Sequence, residues 1–162
     1  MTNQIHLYLI ETNPDRAKNL RAELARLPQV TVLEKYAEAV DASGGLDAVF
    51  VPLMSAMEWG VIKPPAPLHQ TQVVKMPDYE IARGRPKYAI PGVATSPDES
   101  LSPAETTRLV LRESFKAIHQ FNEASPIKLK KVGVPTLSLG LEKLLAGGAA
   151  ELLSDAYLSA VS

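Results

Sequence analysis

No cysteine occurs among the 162 residues, which removes disulfides, thiolate metal sites and cysteine nucleophiles together and suits a reducing compartment. An excess of one charge is lacking as well. Seventeen basic residues stand against eighteen acidic ones for a formal net charge of -1, so the electrostatic footprint of a dedicated nucleic-acid binder is missing and no nucleic-acid partner is expected. Nowhere do ~18 apolar residues run consecutively. The opening, Met1 to Ile10, has polar interruptions and no basic start before an unbroken apolar run; the expectation is a cytoplasmic protein with no membrane partner. The three histidines, His6, His69 and His119, have no histidine or carboxylate at metal-ligand spacing, so no metal is expected. Internal repeats and low-complexity tails are absent.

Hydrophobic residues make up 46% of the chain and charged ones 22%, which suits one domain over residues 1–162 with a real core. Ile5 to Ile10 reads as a buried strand. Thr12 or Asn13 then caps a helix with Pro14 in its first turn. Leu20, Leu24 and Leu27 share one face of that helix, and Pro28 stops it. Val30 to Leu33 is a second strand, and after a polar interval ending at Ser43-Gly44-Gly45, Leu46 to Val51 is a third, central strand halted by Pro52. Two strands joined by a crossover helix suggest a βαβ unit.

Residues 53–72 contain Pro64, Pro65 and Pro67 among Met54, Met57 and Trp59, which predicts a long ordered loop rather than a helix. Val73 to Arg83 and Lys87 to Val93 are read as two strands about a Gly84-Arg85-Pro86 turn. They add an antiparallel pair and make the sheet mixed. Ser102, Pro103 and Glu105 mark the start of a helix that carries Leu109, Leu111, Phe115, Ile118 and Phe121 as its apolar stripe to about Ala124. A last strand near Leu129 to Leu137 leads through Ser138-Leu139-Gly140 to a final helix over residues 141–160, with Gly147-Gly148 its weakest point.

The order of these elements resembles a macro domain, the fold known for binding ADP-ribose, over most of the chain. The resemblance rests on Leu46-Asp47-Ala48-Val49-Phe50-Val51-Pro52-Leu53-Met54-Ser55, similar to the family's aspartate, apolar strand and Asn-Ala-Ala-Asn-Ser signature. It rests equally on Val132-Gly133-Val134-Pro135-Thr136-Leu137-Ser138-Leu139-Gly140, similar to the late strand and Pro-x-x-Ser-Thr-Gly turn. It implies a three-layer α/β/α domain with a mixed central sheet. Most of the recognisable ligand contacts of the family are replaced, so the resemblance is to a divergent member. Val51 and Met54 stand for its two asparagines, including the amide that positions the distal ribose in catalytic members. Gly60 alone represents its glycine run. Tyr36 falls near the adenine-reading aspartate, and Leu139 takes the threonine place.

A second resemblance, to a response-regulator receiver, covers about a third of the chain. It rests on Tyr8 to Pro14 and on Asp47 to Gly60, with the Leu53-Met54 and Met57-Glu58 trail. Pro52 stands where the phosphorylated aspartate would be, so a receiver ancestor would be inactive.

Candidate binding residues lie in the two strand-end loops. Pro52, Ser55, Glu58, Trp59 and Gly60 follow the central strand, where an indole beside a carboxylate suits stacking on a base and hydrogen bonding to it. Packing of Trp59 with Met54 and Met57 to close the sheet end is the plainer reading. Ser138, Leu139 and Gly140 either present N–H groups to a phosphate at a helix N-terminus or form an ordinary strand-to-helix turn. Glu11 is expected either to cap the helix that follows it or to be solvated, rather than bind a ligand hydroxyl. Arg83, Arg85 and Lys87, with Lys75 nearby, would suit steering of a phosphate or polyanion, and the plainer expectation is a solvated hairpin rim. No nucleophile with a partnered base is found. The expected function is a noncatalytic binding module without cofactor, for an ADP-ribose-like or other nucleotide or for a protein partner. The alternatives are an ADP-ribosyl hydrolase, for which Glu58 or Ser55 is the nearest polar group, and a degenerate receiver-like interaction domain.

Overall fold

A computed structural model describes residues 5–27, 29–52, 73–92 and 103–136, with Glu58, Gly148 and Glu151 besides. The elements are β1 (His6–Ile10), α1 (Pro14–Glu23), β2 (Val30–Leu33), α2 (Tyr36–Ser43), β3 (Ala48–Pro52), β4 (Val74–Lys75), α3 (Asp78–Ala82), β5 (Tyr88–Gly92), α4 (Pro103–Ala124) and β6 (Lys131–Pro135). The strands form one six-stranded sheet in the order β2-β1-β6-β3-β5-β4. All pairings are parallel except the one between β4 and β5. The sheet is therefore mixed, as the sequence predicts.

Strand geometry sorts the apolar residues into two sets, because successive side chains point to opposite faces. Leu7, Leu9, Ala48, Phe50, Ile90 and Val132 belong to one cluster, which Leu20 and Leu24 at the end of α1 and Leu111, Phe115 and Ile118 of α4 complete. Phe50 meets Phe115 with ring centroids 5.9 Å apart. The alternate residues pack with the other two helices: Val49, Val51 and Ala89 with Tyr36 and Ile81, and Tyr8 and Ile10 with Ala39. The register carries this alternation across the sheet without a slip, since Leu7 pairs with Val132 and Ala48 pairs with the same residue from the other side. A one-residue shift would turn every core side chain outward.

β6 is held at its start by two polar devices. Asp47 Oδ2 accepts the backbone N–H groups of Lys130 (2.8 Å) and Lys131 (3.0 Å), and the Asp47 N–H bonds back to the Lys131 carbonyl at 2.8 Å. This ties the beginnings of β3 and β6 together. Asn122, fully buried near the end of α4, accepts from the Leu129 N–H at 2.7 Å and donates to the Leu129 carbonyl at 3.1 Å. Lys128 caps the same helix end by donating to the carbonyls of Asn122 and Ser125, groups the helix leaves open. Gly133 sits where a Cβ would come within 2.9 Å of Leu46 Cδ1 and 3.5 Å of Val49 Cγ2, so the strand is kept bare where those side chains cross it.

Two stretches differ from the expectation. The polar interval before β3 is helix α2, ended by Gly44 in the left-handed region (φ 73°). Val73 to Arg83 is only a two-residue strand, after which Pro77 and Asp78 turn the chain into α3. Glu80 of that helix is buried, a position a strand of alternating apolar residues would not give to a carboxylate. α1 begins as predicted, with Asn13 Oδ1 accepting from the N–H groups of Asp15 and Arg16, and ends at Glu23, short of Leu27. The proline-rich loop and the final helix lie outside the described residues, apart from Glu58, Gly148 and Glu151.

Replacing Asn122 by alanine orphans both polar groups of Leu129 in the interior. An Asn122→Ala variant should lose about 3 kcal/mol of stability in urea denaturation. Ser114, also fully buried, has a hydroxyl without a hydrogen-bond partner among the described residues, so Ser114→Ala should stay within about 1 kcal/mol of the parent or exceed it.

Candidate functional site

β3 and β6 are neighbours and run parallel, with Ala48 opposite Val132 and Val49 opposite Gly133. Their C-terminal ends therefore leave the sheet at the same edge. Open α/β sheets bind ligands at this edge, outside the carboxyl ends of the strands. Of the predicted binding residues, Pro52 closes β3, paired with Gly92 of β5, and Glu58 is exposed. Ser55, Trp59, Gly60, Ser138, Leu139 and Gly140 lie outside the described residues.

The neighbouring end of β1 carries Glu11, whose carboxylate is nearly buried. Its Oε1 lies 2.7 Å from Arg16 Nε, and Oε2 accepts the Asn13 N–H at 3.2 Å. A carboxylate taken out of water needs such a cation and donor. Glu11 thus shapes the entry to α1, the expected capping role. Beside it, the buried Thr136 hydroxyl donates to the Ile10 carbonyl at 3.3 Å, joining the ends of β6 and β1.

The basic residues at the β5 approach are organised around buried Glu80. Arg85 Nε pairs with Glu80 Oε2, and Arg83 lies 3.9 Å from Oε1. Lys75 faces Asp78 at 3.6 Å, both exposed. Two of the predicted rim cations thus neutralise an internal carboxylate.

Beside α2, and mostly toward the opposite, N-terminal edge of the sheet, is a cavity of about 490 Å³. α2 contributes Tyr36 and Val40, the approach to β3 contributes Leu46 and Asp47, and α3 contributes Ile81. The turn before β5 supplies Gly84, Arg85 and Lys87, and Ile127 and Leu129 close it from the segment before β6. Burial pushes the Tyr36 hydroxyl above its ordinary pKa, while the Arg85 guanidinium pulls the other way. The hydroxyl remains a hydrogen-bond donor at neutral pH. The sequence reading missed this cavity because α2 and α3, two of its walls, were not foreseen. Its available signals were the basic trio and the pair of glycines after Ser43.

Among the described residues no group of three or more histidine, aspartate or glutamate side chains is placed to hold a metal. His119 pairs with Glu123 at 3.1 Å along α4, and His69 lies outside the described residues. His6 is hydrogen-bonded to Thr31 Oγ1 at 2.7 Å and stacks at a tilt on Tyr8, ring centroids 4.5 Å apart. No described helix is long and apolar enough to cross a membrane.

No family model matches the chain, and no curated protein matches it.

Burial lowers the His6 pKa from its ordinary 6.5, so below that value the unfolded chain binds more protons than the folded one. Stability is then highest above pH ~6.5 and falls as the pH drops through the lowered folded value. His6→Gln should remove this part of the slope, checked by comparing urea midpoints of parent and variant between about pH 7.5 and 5.

Proposed function

We propose that the chain is a three-layer α/β/α domain of macro-domain type and a noncatalytic binding module. Its ligand is an ADP-ribose-like or other nucleotide, taken at the edge where β3 and β6 end. The observation that carries this reading is the parallel pairing of β3 with β6. The two segments that resemble the family's ligand-binding signatures follow these strands, and adjacency brings their starting points to one rim. Packing of α1 and α4 with one set of strand side chains, and of α2 and α3 with the alternate set, supports the layered architecture.

Strand order favours this reading over the receiver-like one. A receiver runs 2-1-3-4-5, with β1 beside β3. Here β6 stands between them, so the end of β3 is a full strand removed from the acidic end of β1.

Two observations support the noncatalytic part of the proposal. Glu11, the carboxylate that follows β1, is held by Arg16 and the Asn13 N–H and is not available as a base. Glu58 is the remaining acidic candidate, and it is exposed.

Calorimetric or fluorescence melting with ADP-ribose, ADP and NAD tests the proposal. A nucleotide present at ~100 times its dissociation constant adds about 2.7 kcal/mol of stability, and ADP-ribose should give the largest shift without being consumed. Unchanged melting with all three at millimolar concentration would contradict the nucleotide reading and turn attention to a protein partner. Release of free ADP-ribose from a modified substrate, lost in Glu58→Ala, would favour the hydrolase instead.

A further inference from the structure

The cavity lies mostly toward the N-terminal edge, where Leu46, Asp47, Lys87 and Leu129 precede β3, β5 and β6, and reaches along α2 to Tyr36, on the side away from Pro52 and Thr136 at the ends of β3 and β6. Its volume of about 490 Å³ falls in the range of small-molecule sites. The walls are mainly apolar, with Val40, Leu46, Ile81 and Leu129 among them. At Gly45 and Gly84, both at positive φ, a side chain would meet no atom within 4 Å. These two parts of the wall are bare backbone facing open space.

The charged groups are unequal in sign and in freedom. Asp47 is the single acid among the described lining residues, and its Oδ2 already accepts the Lys130 and Lys131 N–H groups. Arg85 and Lys87 are the two cations. Arg85 is oriented by Glu80, and exposed Lys87 forms no ion pair with a described residue. Lys131 adds positive potential from the side, its ammonium 3.9 Å from the Cβ position of Gly44. An apolar chamber with a cationic rim and a tyrosine hydroxyl selects a ligand of matching design.

We propose that this cavity binds a small apolar molecule bearing one carboxylate, its body against Val40, Leu46 and Leu129 and its anionic group toward Lys87 and the Tyr36 hydroxyl. Recognition is divided between the two ends: burial of the apolar body supplies affinity, and the cations discriminate against neutral and positively charged relatives.

Titration of the isotope-labelled protein, followed by amide NMR, tests this with three probes of one shape: phenylbutyrate, phenylbutanol and phenylbutylamine. Phenylbutyrate should give saturable shifts at Gly45, Gly84, Lys87 and Leu129 and none at Gly92 and Thr136 on the other edge. Phenylbutanol should bind about fivefold more weakly, the ratio a partly exposed ion pair supplies, and phenylbutylamine more weakly still. Lys87→Glu, at an exposed position, should weaken phenylbutyrate by at least that factor, with Lys87→Gln intermediate. Ile127→Trp should block the chamber from its half-exposed wall. Absence of saturable shifts, shifts confined to the other edge, equal affinity for acid and alcohol, or indifference to both Lys87 variants would each overturn the proposal.

Discussion

Among the described strands, every backbone hydrogen bond that joins the β1–β2 half of the sheet to the β3–β5–β4 half passes through β6. β1 and β3 do not pair with each other; β6 lies between them and pairs with both. Its residues are the last to be made of the six strands, more than 120 positions after β1 in sequence. Closing such a distance costs chain entropy before any contact compensates for it. The local features converge on that constraint. Asp47 fixes the starts of β3 and β6, Asn122 fixes the approach from α4, Gly133 clears space for Leu46 and Val49, and Thr136 fastens the far end to β1.

The same placement organises both edges. With β6 parallel to β3, the loops after the two strands start from one rim, and the starts of β3, β5 and β6 gather at the other. At the first rim the described polar groups are engaged in structure: Glu11 with Arg16, Thr136 with Ile10. At the second, helices α2 and α3 stand apart enough to leave a chamber, with cations from the turn before β5 at its wall. Two edges of contrasting chemistry thus follow from one strand insertion.

Much of this was legible residue by residue. Short apolar and β-branched runs marked β1, β2 and β3, the Ser102-Pro103 start and the Leu111, Phe115, Ile118 spacing marked α4, and Asn13-Pro14 marked the start of α1. Short elements were not legible. Tyr36–Ser43 offers only Ala39 and Ser43 to full burial and has no side-chain cap at Lys35, so neither periodicity nor an N-terminal signal stood out; Gly44 was its one clear marker. Asp78–Ala82 has a single turn's worth of residues and buries a glutamate, which hides it from any hydrophobic pattern. The position of β6 within the sheet was beyond reach as well, because pairing between strands so far apart in sequence leaves no local trace. The chamber, bounded by the two unforeseen helices, was hidden for that reason.

Native-state hydrogen exchange across the sheet measures the central dependence directly. If β6 joins the two halves, the amides of Leu7, Leu9, Val49, Phe50, Val132 and Val134 should open with one shared free energy, equal to that of global unfolding, and Asp47→Ala should lower all of them equally. Exchange of the β6 amides through a smaller opening, with β1 and β2 still protected at the global value, would contradict the account.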